Sequence, residues 1–212
     1  MASETLRRWA DPIWEQIFRH PFVEEVYRGD LPIEKFRYYL LQDYNYLVNF
    51  AKALSLAAAK APTVQLMKEA LTLAYGTVTG EMANYEALLR EAGLTLEDAA
   101  RTVPNVVNVS YMSYLLSVCA LEGFHQCMAA VLPCFWSYAE IAQRHRKALE
   151  RNPVLLYRRW ASVYLSEEYL SLVRRLREVL DSSRLSAEAL WPYFRQASTY
   201  ELQFWQAAYE GH

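Results

Sequence analysis

Residues 106–145 read VVNVSYMSYLLSVCALEGFHQCMAAVLPCFWSYAEIAQRH, from Val106 to His145. This long apolar region follows Pro104 and is interrupted by Gly123 and Pro133. It lacks the alternation of a half-buried strand and reads as helix between its breaks. Within it, Cys134 directly follows Pro133. If Pro133 opens a new helix, Cys134 lies in its first turn, where free N–H groups and the helix dipole lower a thiol pKa from its usual ~8.5. If Pro133 sits inside a continuing helix, it frees the carbonyl of Ala129 and opens space beside the thiol. Tyr138, four residues on, shares the face of Cys134. On this pattern alone Cys134 is either a catalytic thiol or a buried structural one.

Outward from this region the chain keeps the same character. Ser3 is placed to cap a first helix running to about Phe18, ended by His20-Pro21. Arg28-Gly29-Asp30 is a turn, and Pro32 suits the first position of a helix over about 33–60. Ala61-Pro62 breaks it; the next helix spans about 63–92 and ends at Gly93. Thr95 and Asp98 have capping-box spacing. Asn152-Pro153 is a further break, Ser166-Glu167-Glu168 a helix start, and Asp181-Ser182-Ser183 a turn. Ser186 caps a last helix that passes Pro192 and continues to about Tyr209. About nine helices with short connections predict an all-α, compact multi-helix bundle forming one domain over residues 1–212.

The chain has 212 residues, 53% of them hydrophobic, with 16 Tyr and 6 Trp. Tyr and Trp join a large apolar body to a polar handle, which suits both cores and pockets for flat polar ligands. A net charge of −2 gives no electrostatic footprint for nucleic acid. The basic clusters at Arg144–Arg146 and Arg174–Arg177 read as solvated helix faces. No apolar run is long enough to cross a bilayer, so no membrane partner is expected. The three Cys read as reduced thiols. The first fifteen residues hold Glu4, Arg7, Arg8, Asp11 and Glu15 and no apolar leader core, so a cytoplasmic location is expected.

Two carboxylates sit in aromatic company. Asp43 lies in Gln42-Asp43-Tyr44-Asn45-Tyr46-Leu47, with Tyr46 on its face; Glu201 lies in Tyr200-Glu201-Leu202-Gln203-Phe204-Trp205, with Phe204 and Trp205 on its face. Either these are surface acids beside scattered aromatics, or they are buried and raised in pKa, as a general acid requires. Metal chemistry finds little support. Glu122-x-x-His125 stands without the second Glu-x-x-His pair of a di-iron bundle. Cys119, Cys127 and Cys134 lack zinc-ligand spacing, and no Gly-rich phosphate loop occurs.

Together these segments resemble the TenA or thiaminase II family. The resemblance is carried by Gln42-Asp43-Tyr44-x-Tyr46-Leu47, Tyr111-x-x-Tyr114-Leu115, Leu132-Pro133-Cys134-x-Trp136-x-Tyr138, Trp160-x-x-x-Tyr164 and Tyr200-Glu201-x-Gln203-Phe204-Trp205. It implies a haem-oxygenase-like bundle without haem, metal or other cofactor, assembled as a homotetramer. It implies hydrolysis of the C–N bond at the methylene of 4-amino-5-aminomethyl-2-methylpyrimidine, with thiamine itself as the other candidate, giving hydroxymethyl pyrimidine for thiamine salvage. In that family's Cys-containing branch, Cys134 is implied as the nucleophile. Glu201 is implied as acid and base, and Asp43 as the carboxylate bonding the ring's amino and nitrogen edge. Tyr46, Tyr111, Tyr138, Tyr164 and Phe204 are implied as the pocket. The competing expectation is a non-catalytic pyrimidine-binding or regulatory module; a metal- or haem-dependent helical oxidase is a third.

Overall fold

A computed structural model of the chain describes residues 1–211. Thirteen α-helices and two short helical segments of other pitch account for its regular structure. Helix α1 (Ala2–Trp9) and α2 (Asp11–Phe18) are separate, against the expectation of one helix. Pro12 lies in the first turn of α2; in a continuous helix its ring would clash with the carbonyl of Arg8. Ser3 is not a cap either. It lies inside α1, and its N–H and hydroxyl donate to the Asp181 carboxylate at 2.7 and 2.8 Å. Helix α3 (Pro21–Arg28) is capped by His20 and closed by Gly29 at φ 92°.

Helix α4 (Ile33–Ala59) is the longest, with 27 residues. It returns through Thr63, which caps α5 (Val64–Gly76). The expected helix over 63–92 is then interrupted: residues Thr77–Glu81 form a π turn before α6 (Met82–Glu91). The capping box of Thr95 and Asp98 forms as expected and starts α7 (Leu96–Arg101). The apolar region becomes α8 (Val106–Leu121) and α9 (Phe124–Arg144), parted at Gly123. Lys60 Nζ donates to the carbonyls of Ala120 and Glu122 at 2.6 Å, closing the end of α8. Pro133 lies inside α9 and starts nothing. The chain then passes through α10 (Arg146–Glu150), α11 (Leu155–Ser162) and a 3-10 turn over Val163–Leu165. It ends with α12 (Glu167–Asp181) and α13 (Ala187–Glu210), capped by Ser166 and Ser186.

Helices α9 and α13 run against each other at the centre. Helix α4 packs on α5 and α8, α12 covers the outer flank of α9, and α1 to α3 close over α13. The core between them is aromatic: Trp14, Phe22, Phe36, Tyr39, Phe194 and Trp205 are fully buried. The Trp14 indole donates to Ser198 at 2.9 Å, which satisfies both buried groups. Among the described residues, no helix is long and apolar enough to cross a membrane.

Candidate active site

Helices α4, α8, α9 and α13 each turn one face toward the same interior space. Gln42 sets the register of the first two. Its carbonyl oxygen accepts from the N–H of Asn105 at 3.0 Å and from Asn108 Nδ2 at 3.1 Å, and its amide donates to Val103 at 3.2 Å. Asp43 is the next residue along α4. One turn along α4, Tyr46 packs on Tyr111 of α8 with ring centroids 5.1 Å apart. Tyr111 donates to Glu201 Oε1 at 2.7 Å, joining α8 to α13. Glu201 is 3% exposed.

The Cys134 thiol of α9 faces the Glu201 carboxyl and the Tyr46 hydroxyl. The Tyr46 hydroxyl is buried and makes no well-formed hydrogen bond. The remaining wall is aromatic. Phe204 lies 5.9 Å from Tyr46 and 6.0 Å from Tyr39. Tyr138 bonds the Tyr39 hydroxyl at 3.2 Å and packs on Tyr164 at 4.9 Å. Tyr164 rides on the 3-10 turn after α11 and meets Tyr169 edge-on at 5.1 Å. Asp43, Cys134, Tyr164 and Tyr169 keep some accessible surface, yet all are strongly desolvated. Atoms in that condition line an enclosed chamber: protein surrounds them, with space in front. Open clefts of 610 Å³ along Glu15, His20 and Gln206, and of 830 Å³ between α4 and α5, lie elsewhere on the surface and contain none of these groups.

The electrostatics follow from burial. Desolvation raises Glu201 to about 7, and hydrogen bonds from Tyr111 and Cys134 hold it from rising further. Asp43 is pushed well above the ordinary carboxylate range by burial, then by the nearby charges of Glu81 and Glu201. Burial also drives the Cys134 thiol well above its usual value, with the Glu201 charge adding to it. Of the two readings of Pro133, the structure has the one in which it lies inside a continuing helix. With Pro133 inside α9, no helix N-terminus reaches Cys134, and the thiol needs a base. The tyrosine beside it is Tyr46 of α4 rather than Tyr138 of its own helix.

All the residues expected from sequence thus meet: Asp43, Tyr46, Tyr111, Cys134, Tyr138, Tyr164, Glu201 and Phe204 surround one space. Sequence reasoning missed Glu81, Tyr39 and Tyr169. Glu81 ends the π turn, and its carboxyl is raised to about 7 by desolvation. By its accessible surface Glu81 is an exposed residue, on a turn at the border of the bundle. The other two cysteines are apart from the site: Cys119 and Cys127 are buried against each other near Lys60. Among the described residues, no group of three or more His, Cys, Asp or Glu could hold a metal ion. His125 Nε2 is buried without a partner.

The architecture is the all-helical, haem-oxygenase-like one. A domain from Shewanella denitrificans described as having a heme oxygenase-like fold superposes with a TM-score of 0.80 at 14% identity, covering 98% of this chain and 91% of that one. Residues 7–211 match the TENA/THI-4/PQQC family, and the chain belongs to that family. It is 33% identical to an aminopyrimidine aminohydrolase of Helicobacter pylori, over 98% of each chain. A TenA homologue from Pyrococcus horikoshii OT3 superposes with a TM-score of 0.97 at 47% identity over 100% of both chains.

Proposed function

We propose that this chain is an aminopyrimidine aminohydrolase of thiamine salvage, acting in the cytoplasm as a single catalytic domain within a homotetramer. Its substrate in this reading is 4-amino-5-aminomethyl-2-methylpyrimidine. The observation that carries the reading is the Cys134 thiol set against a Glu201 carboxyl that titrates near neutrality, with Asp43 across the same chamber. Similarity to the Helicobacter pylori aminopyrimidine aminohydrolase supports the same reaction.

A C–N bond on an aromatic methylene resists direct displacement by water. Covalent addition divides that step. The Glu201 carboxylate takes the thiol proton as Sγ bonds to the ring carbon beside the one bearing the methylene. The displaced ring electron pair moves to a ring nitrogen, which receives the proton from Glu201. The lone pair of the 4-amino group then flows into the ring and forms an exocyclic double bond. The C–N bond breaks, and its electron pair leaves on ammonia. Asp43, accepting hydrogen bonds from the 4-amino group, steadies the positive charge that grows there. Water adds to the exocyclic methylene and releases a proton. The ring nitrogen returns its proton to Glu201, the C–S bond breaks, and the thiol is restored. Tyr46, Tyr111, Tyr138, Tyr164 and Phe204 hold the flat ring; stacking is worth about 1–3 kcal/mol per ring on nucleobases.

The test is release of ammonia and hydroxymethyl pyrimidine from the aminomethyl compound, with thiamine assayed beside it. Release that disappears in Cys134→Ala is the expected result. A well-folded protein that binds the pyrimidine and releases nothing would make it a binding module.

A further inference from the structure

The mechanism above gives Tyr39 no part, yet its surroundings are specific. It lies four residues before Asp43 on α4, and its partner Tyr138 lies four residues after Cys134 on α9. Each tyrosine therefore shares a helix face with the reactive group one turn away. The two hydroxyls meet at 3.2 Å, which joins the helix carrying the carboxyl to the helix carrying the thiol.

Either oxygen of such a pair can donate; the surroundings decide which one does. Tyr39 is 1% exposed and enclosed by rings. Trp205 and Phe36 stack on it at 5.5 and 5.9 Å. Phe22 is tilted on it at 5.5 Å, and Trp160 and Phe204 meet it edge-on at 5.7 and 6.0 Å. A phenyl ring offers no hydroxyl or carbonyl oxygen, and an indole N–H only donates. The Trp160 N–H faces the Tyr39 oxygen. Among the described residues, the acceptor in reach of the Tyr39 proton is the Tyr138 oxygen. Were Tyr138 the donor, the Tyr39 proton would be buried without a partner, which is the costlier arrangement. Tyr39 therefore donates. A hydroxyl carries one proton, so that of Tyr138 is left for the chamber, on the side where its ring packs against Tyr164 at 4.9 Å.

We propose that Tyr39 is a positioning residue: it fixes the Tyr138 hydroxyl as a donor aimed at a ring nitrogen of the bound pyrimidine. This rests on the aminopyrimidine reading, which supplies a flat ring with nitrogen acceptors. Donation from Tyr39 also polarises the Tyr138 hydroxyl and makes it the stronger donor.

The test is a double-mutant cycle on binding of 4-amino-5-aminomethyl-2-methylpyrimidine, in a Cys134→Ala background where turnover cannot confuse binding. Tyr39→Phe and Tyr138→Phe each remove one oxygen and keep the ring. Each is expected to weaken the ligand about threefold to tenfold, the range for a lost neutral hydrogen bond. Together they are expected to weaken it no more than Tyr138→Phe alone, because Tyr39 acts through Tyr138. A residue that merely held the core would lower the thermal midpoint and carry the same loss of affinity into both backgrounds. Losses that multiply, or no loss in Tyr39→Phe, overturn the proposal. No binding to the Cys134→Ala parent overturns the aminopyrimidine reading, and the proposal falls with it. Should Tyr39→Phe fail to fold, two analogues with one or the other ring nitrogen replaced by CH carry the test. One of them is expected to bind the parent about threefold to tenfold more weakly than the pyrimidine does, and to lose that difference in Tyr138→Phe. Differences that are the same in both proteins overturn the proposal.

Discussion

The Tyr111 hydroxyl donates to Glu201 Oε1 at 2.7 Å, and both groups are buried. A bond to the charged form of a carboxylate lowers its pKa, so Tyr111 restrains the upward push of desolvation. If Glu201 must be ionised to take the thiol proton, kcat/KM rises with pH through about 7. Tyr111→Phe removes the restraint and is expected to move that limb to higher pH, with the plateau rate less affected. A limb that stays in place, followed by initial rates from pH 5.5 to 9, would separate Glu201 from the profile.

The thiol is expected to be unreactive until it has a base and a substrate. Burial holds Cys134 well above the ordinary thiol range. Iodoacetamide labelling of the ligand-free protein at pH 7 is expected to be slower than that of free cysteine. Cys134→Ala is expected to lower kcat by at least about a thousandfold, on the scale of losing a covalent nucleophile. Fast labelling at neutral pH would mean an acidified thiol and a different activation.

Glu201 also makes stability depend on pH. Its folded pKa of about 7 lies above the ordinary 4.5. Between those values the folded protein keeps a proton that the unfolded chain gives up, so stability falls as pH rises through this window. For a 3%-exposed group the full penalty above it is roughly 3 kcal/mol. Glu201→Gln is expected to gain stability over its parent on going from pH 4.5 to pH 8, read as the difference in thermal midpoints. An identical difference at both pH values would refute this.

Gln42 ties the loop before α8 to α4 through the N–H of Asn105 and the side chain of Asn108. Gln42→Leu removes the acceptor of the half-buried Asn105 N–H, at about 1–3 kcal/mol if fully desolvated, while Asn108 Nδ2 keeps its bond to the carbonyl of residue 42 at 2.8 Å. The expected result is a lower urea midpoint together with reduced kcat/KM, since Asp43 is the next residue. Lost stability with unchanged kcat/KM would show that Asp43 is held by something else.

Legibility in the sequence followed the range of the interactions involved. The capping box at Thr95 and Asp98, the caps at Ser166 and Ser186, and the left-handed Gly93 (φ 76°) were all readable. A cap is settled by residues three or four apart. The break at Ala10 was in the sequence as Pro12 but was outweighed by the apolar pattern around it. The two readings of Pro133 could not be separated locally; α9 continues through it because the helix is buried on nearly every side between α12 and α13. The site residues were named through the resemblance to the TenA family, carried by five short motifs; the residues alone left Asp43 and Glu201 open between surface and buried acids. Glu81 stands in no such motif, and nothing in Thr77-Val78-Thr79-Gly80-Glu81 announces a π turn, whose cause is packing on α4.

That turn holds one residue more than an α-helix would need. Each residue of an α-helix advances the face by about 100°. Deleting one position between Gly76 and Gly80 would let the segment close as ordinary helix and rotate it against its surroundings. Tyr85 could not then keep its place against Leu40 and Tyr44 of α4. Neither glycine is crowded there: a Cβ at Gly76 or Gly80 would meet nothing within 4 Å. The seating of Tyr85 on α4 is in this sense encoded as a residue count: a single-codon deletion erases it while every side chain of the site remains in the gene.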